Sequence, residues 1–273
     1  MPQVAVAALL AAAPANQELA SRYGTTVVDP QDLAGGTEAV GGATHALLLG
    51  ERRNEVLVRR QAAALSDTGV AVAWRALPNG PAALLLLATQ AAQAKLEPAY
   101  TVALFDSLVA GTWDAVWTPS VARLEDPAPS VGQHLRSWGP GGAGFLVTLA
   151  GDRPGVHPVA GASDTAGPST GATARDAVYC GGLAGVPEKA RAHVLRDSGA
   201  RRFVDVPALH VDLTARVGSR RAVEVVALPD MGGVRLPTAN GSCPTCGVVL
   251  VTPFCPFCHL RRPQADNRRG DHL

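Results

Sequence analysis

Residues 45–77 read HALLLGERRNEVLVRRQAAALSDTGVAVAWRAL and contain two short apolar runs on either side of an amphipathic segment. The runs at 45–50 and 70–77 are typical of strands buried on both faces, as found in parallel sheets covered by helices. The segment 54–68 places its charged residues Glu55, Arg59 and Arg60 at helical spacing. This order of strand, helix and strand predicts a parallel β-α-β unit.

The same alternation begins upstream, with apolar runs at 4–10 and 25–29 around a helix-like segment at 16–23. The run 82–92 is about half the ~20 residues that a membrane-spanning helix needs, and it predicts a buried helix. A further helix is expected at 100–113, with Trp113 and Trp117 four residues apart on one face of the helical tract. We therefore predict an α/β fold with a mainly parallel sheet flanked by helices.

Composition sets limits on function. The chain has 273 residues, of which 47% are hydrophobic, so it can bury a sizeable core. Its 24 Lys and Arg balance 23 Asp and Glu, which excludes a global field that would draw it to nucleic acid or an anionic membrane. The lone Cys180 and four clustered thiols favour a reducing compartment, and we expect the cytoplasm.

Four cysteines lie close together near the C-terminus, as Cys243-Pro244-Thr245-Cys246 and Cys255-Pro256-Phe257-Cys258, with eight residues between the pairs. A two-residue spacing lets both sulfurs of a pair reach one ion from a tight turn. This repeated spacing favours structural Zn²⁺ bound by Cys243, Cys246, Cys255 and Cys258 over a pair of disulfides or free thiols. Four thiolates fill a tetrahedral shell and leave no open position for substrate.

The segment around these cysteines resembles the zinc-ribbon family, whose members often read Cys-Pro-x-Cys-Gly at each turn. Gly247 follows the first pair as in the family, whereas His259 stands where the second glycine is usual. The resemblance implies a small C-terminal zinc ribbon that serves as a protein or nucleic-acid interaction element. It covers roughly 240–262 and does not extend to the rest of the chain.

Domain boundaries are suggested by changes in composition. The run at 159–174 consists of small and turn-forming residues and predicts a linker or loop. The expected units are an α/β domain at 1–158, a flexible linker at 159–175, an α/β segment completing that domain at 176–238, a zinc ribbon at 239–262 and a disordered tail at 263–273.

Two aspartates are candidate ligand-binding residues. Asp29 and Asp205 each follow a predicted strand, at the edge where open α/β sheets bind ligands. Both lie close to proline, so turn formation is the competing explanation for each. Cys180 is a candidate nucleophile, but no histidine is spaced to activate it, and a small buried side chain is the simpler interpretation.

Arginines after the ribbon are candidate nucleic-acid contacts. These are Arg261, Arg262, Arg268 and Arg269, against Asp266 and Asp271 within residues 241–273. A surplus of two positive charges is small for binding phosphates.

Three functional hypotheses follow. The first is a non-catalytic bacterial adaptor whose zinc ribbon binds a protein partner. The second is a small-ligand-binding α/β enzyme in which the ribbon is a lid or an oligomerisation device. The third is a nucleic-acid binder that acts through the ribbon and the arginine tail. No common hydrolase, metalloprotease or kinase motif decides whether the protein is an enzyme, and a membrane association is not expected.

Overall fold

The computed structural model describes residues 4–11, 13–138, 142–159, 175–209 and 211–261. Its first half contains a four-stranded parallel sheet with strand order β2-β1-β3-β4. The elements are β1 (Val4–Leu9), α1 (Pro14–Arg22), β2 (Thr26–Val28), α2 (Leu33–Ala39), β3 (His45–Glu51), α3 (Glu55–Asp67) and β4 (Ala71–Leu77). The predicted parallel β-α-β units are confirmed, and every residue of β3 is buried.

Helices cover both faces of this sheet, because neighbouring strand residues point to opposite sides. Ala46 and Leu48 of β3 pack in a cluster with α3, whereas Leu47 and Leu49 face a cluster that includes α4 (Pro81–Gln93) and α5 (Pro98–Gly111). The predicted buried helix at 82–92 is α4. Among the described residues, no helix has both the length and the apolar character to cross a membrane.

The second half forms a six-stranded mixed sheet with strand order β7-β6-β5-β10-β8-β9. Its strands are β5 (Trp113–Thr118), β6 (Phe145–Ala150), β7 (Gly155–Pro158), β8 (Ala177–Cys180), β9 (Arg202–Asp205) and β10 (Val223–Ala227). Only β8 and β9 pair in parallel, the other described pairs being antiparallel. The helices of this half are α6 (Val131–Trp138), α7 (Glu188–Ser198) and α8 (Thr214–Val217).

Trp113 and Trp117 belong to β5, so the expectation that they share a helix face is wrong. Residues two or four apart in a strand also point to the same side, and both rings are buried in one cluster of the second sheet. A four-residue spacing of large apolar side chains therefore fits a strand as well as a helix. The α5 helix ends at Gly111, before the first tryptophan.

Helix α4 links the two sheets. It contacts β1 and β3 of the first sheet and β10 of the second. Val226 and Leu228, at the end of β10, lie in the same apolar cluster as α4 and α5. The two sheets are therefore joined by a shared core.

Candidate functional site

A cleft of about 430 Å³ lies between the two sheets. One wall comes from the carboxyl ends of β3 and β4, where open α/β sheets commonly bind ligands. The other comes from β6, the loop after β5, and α8. The lining residues are Arg52, Arg53, Leu77, Pro78, Glu125, Asp126, Pro127, Thr148, Leu149, Pro154, Ala215 and Arg216.

Arg216 joins the two walls of this cleft. From α8 it donates hydrogen bonds to the main-chain oxygens of Pro78, at 2.6 Å, and Asn79, at 3.2 Å. It also forms an ion pair with Glu51, whose side chain is 6% exposed against 13% for Arg216. This carboxylate and guanidinium are both largely withdrawn from water. Their attraction therefore offsets the free-energy cost of desolvating each charge.

Two more arginines follow Glu51 directly. Arg53 Nη2 lies 2.8 Å from Glu51 Oε1, so Arg53 and Arg216 share one carboxylate. Arg52 is exposed and forms no ion pair with any residue of the described ranges. Of the cleft's three arginines, Arg52 therefore has the guanidinium most available to an incoming anion.

Apolar groups lie beside these arginines. Leu77 and Pro78 line one wall, and Leu149 with Pro154 line the other. The carboxylates of Glu125 and Asp126 are exposed to solvent at the rim, where water screens them. The cleft thus combines an accessible cation with apolar surface, a combination that suits an amphipathic anion.

Two buried carboxylates lie behind the cleft, where α4 begins. Asp114 Oδ2 accepts hydrogen bonds from the Gly80 amide, at 2.7 Å, and from Asn79 Nδ2, at 3.3 Å. Glu224 accepts from the Ala82 amide, at 3.1 Å, and from the Ala83 amide, at 2.8 Å. Gly80 is the N-cap of α4, and Ala82 and Ala83 lie in its first turn, where main-chain amides have no intrahelical partners and the helix dipole also favours negative charge.

Gly80 makes this arrangement possible. A Cβ atom at position 80 would overlap the carboxylate of Glu224. The backbone before α4 can therefore approach the second sheet only because this residue has no side chain.

Burial raises the pKa of Asp114 to about 6, although the Gly80 amide and Arg216 act in the opposite direction. Burial also raises the pKa of Glu224 well above its usual value, and the neighbouring Asp114 adds to that effect. Asp114 Oδ1 and Asn79 Oδ1 are buried without a hydrogen-bond partner in the described structure.

A second cavity, of about 580 Å³, lies among α4, β8 and the segment after β10. Its lining includes Gln90, Arg175, Tyr179 and Leu228. Arg175 donates to the main-chain oxygens of Gly111 and Ser198, so its guanidinium is engaged in holding the fold. This cavity is away from the carboxyl ends of the parallel strands, and we regard the cleft between the sheets as the stronger candidate.

The four ribbon cysteines come together as predicted. Their Sγ atoms all lie within 4.8 Å of one another, and those of Cys246 and Cys255 are 3.6 Å apart. Bonds of about 2.3 Å in a tetrahedron require S–S separations of roughly 3.8 Å, so the cluster has the dimensions of a metal site. The four thiols could hold a metal ion.

Both cysteine turns have the same backbone shape. The amide of Gly247 donates to Cys243 O at 3.0 Å, and that of His259 donates to Cys255 O at 2.9 Å. Gly247 and His259 have φ values of 72° and 57°, both in the left-handed region. His259 therefore adopts the conformation that the family usually assigns to glycine, and the second turn keeps its geometry.

The ribbon packs against the amino end of the parallel sheet. Leu250, Cys255 and Phe257 are buried in the same cluster as α4, α5 and one face of β3. Phe257 contacts His45 at the start of β3, whereas Glu51 of the cleft ends that strand. A strand of this length spans roughly 20 Å. The ribbon therefore lies at the opposite end of the sheet from the cleft and is not its lid.

The two aspartates that follow predicted strands lie apart, on different sheets. Asp29 is exposed after β2 and accepts from the Gln31 amide at 2.9 Å. Asp205 ends β9 and accepts from the amides of Gly182, at 3.0 Å, and Leu183, at 3.2 Å. Neither lines the cleft, and both carboxylates stabilise turns.

The other candidates lie elsewhere. Arg261 is exposed in the ribbon, paired in a β-bridge with Phe254, while Arg262, Arg268 and Arg269 lie outside the described residues. Cys180 is fully buried, and burial raises the pKa of its thiol to about 12, with Asp205 adding to the shift. A thiol in that state is a weak nucleophile.

Sequence reasoning missed the residues that build the cleft. Glu51 ends a strongly apolar strand and Arg52 and Arg53 follow it, and charged residues at that point were a usable signal. Asp114 and Glu224 each interrupt an otherwise apolar strand, which is a second signal. Arg216 lies about 165 residues from its partner Glu51, and nothing local in the sequence indicates that pairing.

Comparisons with known proteins agree with the fold. No family model matches the chain, and no curated protein matches it. Solved structures do: a DegV family protein from Eubacterium eligens loaded with heptadecanoic acid has a TM-score of 0.53 at 8% identity, covering 84% of this chain and 100% of its own. A DegV family protein from Corynebacterium glutamicum has a TM-score of 0.53 at 15% identity, covering 84% and 97%.

A fatty-acid-binding DegV family protein from Thermus thermophilus has a TM-score of 0.50 at 12% identity, covering 84% of this chain and 100% of its own. At these identities the likeness shows a shared fold. The α/β prediction is confirmed.

The predicted adaptor role is wrong. The chain shares its fold with DegV family proteins, two of which bind a fatty acid. The physical reason for the error lies in the ribbon, which we expected to be a free docking module. Cys243, Leu250 and Phe257 are instead buried against the α/β core, so much of the ribbon surface is already used within the chain.

Proposed function

We propose that this protein binds a small amphipathic carboxylate, of the fatty-acid class, in the cleft between its two sheets. The observation that carries the proposal is the position of an accessible arginine, Arg52, beside apolar walls at the carboxyl ends of β3 and β4. The fatty acids bound by the DegV family proteins of Eubacterium eligens and Thermus thermophilus support the ligand class.

The contacts of the three cleft arginines indicate a different role for each. Arg216 donates hydrogen bonds to Glu51 and to two main-chain oxygens, so it holds the cleft's walls together. It contributes positive charge to the cleft but no donor of its own to the ligand. Arg53 is tied to Glu51 through one nitrogen and is 43% exposed. In this proposal the ligand carboxylate contacts Arg52 and the remaining donors of Arg53, and the alkyl chain lies along Leu77 and Leu149.

Calorimetric titration with decanoate and with decan-1-ol tests the ligand class. Both have the same chain length, but only decanoate carries a charge for Arg52. We expect decanoate to bind, and we expect Arg52→Ala to weaken its affinity by roughly ten- to a hundredfold, since a charge-assisted hydrogen bond contributes roughly 1.5–3 kcal/mol. Arg22→Ala, at an exposed position on α1, is the matched control. Equal binding of decan-1-ol, or an unchanged affinity in Arg52→Ala, would contradict the proposal.

We also propose that Cys243, Cys246, Cys255 and Cys258 hold a structural Zn²⁺ ion. The support is the compact cluster of four sulfurs and the matching turns at Gly247 and His259. Such an ion would cross-link the two turns, and four thiolates would leave it no open position for substrate.

A further inference from the structure

The described side chains behind the cleft include more acidic groups than basic ones. Glu51, Asp114 and Glu224 are buried, with exposures of 4%, 0% and 3%. The guanidinium groups that face them are those of Arg216, which is largely buried, and Arg53, which is half-exposed and bound to Glu51. If all three carboxylates were ionised, three buried negative charges would face two guanidinium groups, and the charge left without a counterion is strongly unfavourable.

The excess falls on Asp114 and Glu224. Glu51 is paired with two arginines, whereas within the described part of the chain Glu224 accepts hydrogen bonds only from main-chain amides of α4. Asp114 uses Oδ2 for Gly80 and Asn79, and its Oδ1 has no partner in the described structure. A carboxyl group in such a place lowers its energy by holding a proton.

We infer that Asp114 and Glu224 take up a proton when an anion occupies the cleft beside Arg216, an inference that rests on the proposed function. Arg216 is the link. Its positive charge lowers the pKa of both carboxyls, whereas Glu51 raises that of Asp114. A ligand carboxylate next to Arg216 adds negative charge near the two carboxyls, as Glu51 does. Binding therefore favours the protonated form of Asp114 and Glu224. The proton comes from solvent.

The charged and titratable groups facing this pair come from each neighbouring element. The end of β3 contributes Glu51 and α8 contributes Arg216, while Arg53, in the turn after β3, acts on the pair through its contact with Glu51. The first turn of α4 contributes main-chain amides, and the residue before its N-cap contributes the Asn79 side chain, but neither supplies an ionisable group. The response therefore belongs to Asp114 and Glu224, with Arg216 and Glu51 setting its size.

Titration of the intact protein with decanoate in two buffers of different ionisation enthalpy, near neutral pH, measures the protons taken up. We expect the apparent binding heat to change with the buffer in the direction of proton uptake. We also expect the affinity to fall with rising pH, by no more than about tenfold per pH unit for one proton. This two-buffer titration uses the unsubstituted protein.

The variants Asp114→Asn and Glu224→Gln assign the proton. Each keeps the shape of the side chain, and we expect the buffer dependence to shrink in each and to disappear in the double variant. His157→Gln serves as the control, because that titratable side chain is hydrogen-bonded to Arg153 O at 3.1 Å and lies outside the buried pair.

The outcomes are distinct. Decanoate binding with the same heat in both buffers would overturn this inference and leave the proposed function standing. A buffer dependence that survives in the double variant would likewise overturn it. Failure of decanoate to bind would overturn the proposed function and this inference together.

Discussion

The ring of Phe257 in the second cysteine turn lies edge-on to the imidazole of His45, with ring centroids 4.8 Å apart and planes at 74°. His45 begins β3, and its Nδ1 lies 2.9 Å from Thr44 Oγ1. Burial lowers the pKa of His45, so the contact is one between a neutral imidazole and an aromatic edge at neutral pH. It connects the ribbon to the parallel sheet.

Phe257→Ala should therefore destabilise the whole protein. The side chain is 6% exposed, and truncation of a buried aromatic typically costs about 3–5 kcal/mol. Phe254→Ala, in the same ribbon at 54% exposure, should change the free energy of unfolding by less than about 0.5 kcal/mol. Urea denaturation measures both. Equal effects would mean that the ribbon is not docked on the core.

Metal removal should also affect the core. If the proposed ion is bound, we expect one zinc per chain in metal analysis, and a strong chelator should lower the melting temperature, because metal binding contributes to the folding free energy of small metal-binding modules. Cys255→Ser should lose the ion. Cys180→Ala, which changes the buried cysteine away from the cluster, should retain it. Full metal content in Cys255→Ser would contradict the tetrathiolate site.

Arg216→Ala should weaken the junction between the sheets. It leaves the buried carboxylate of Glu51 without its main partner, a change that typically costs about 3–5 kcal/mol. Arg53→Ala removes a more exposed partner of the same carboxylate and should cost less than about 1 kcal/mol. Chemical denaturation, extended to Glu51→Gln and the double variant, measures the coupling. Additive effects of the changes at 51 and 216 would show that the pair contributes little.

The pH dependence of stability should report the proton on Asp114. The pKa of this carboxyl is about 6 in the native state against ~3.9 when unfolded, so between those values the native state binds more protons. The free energy of unfolding then decreases as pH rises, by about 2 kcal/mol between pH 4.5 and 6.5 relative to Asp114→Asn. Denaturation across that range measures the difference. Parallel profiles for the two proteins would contradict the shift.

The sequence predicts local features of this fold far better than its long-range ones. The apolar runs around β3 and β4 indicate a parallel sheet, and the CxxC spacing predicts a sulfur cluster, because both signals are contained in a few neighbouring residues. The second sheet was harder to predict. Trp113 and Trp117 fit a helix or a strand equally well until β10 pairs with β5.

The cleft shows the same limit. Glu51 and Arg52 can be recognised in the sequence as charged residues at the end of a buried strand. Their role in the cleft depends on Arg216 of α8, which pairs with Glu51 and lies in the other half of the chain. Asp29 and Asp205 satisfied the rule about strand ends yet occupy turns on the outer strands β2 and β9. Strand-end position is therefore informative only once the facing wall is known.

The proposed binding site for a small amphipathic carboxylate is the cleft between the sheets. Photo-cross-linking with a diazirine-labelled decanoate, followed by peptide mapping, locates the bound ligand. We expect labels on cleft residues such as Leu77 and Leu149, and their loss when unlabelled decanoate competes. Competable labels confined to the second cavity, around Gln90 and Tyr179, would contradict this proposal.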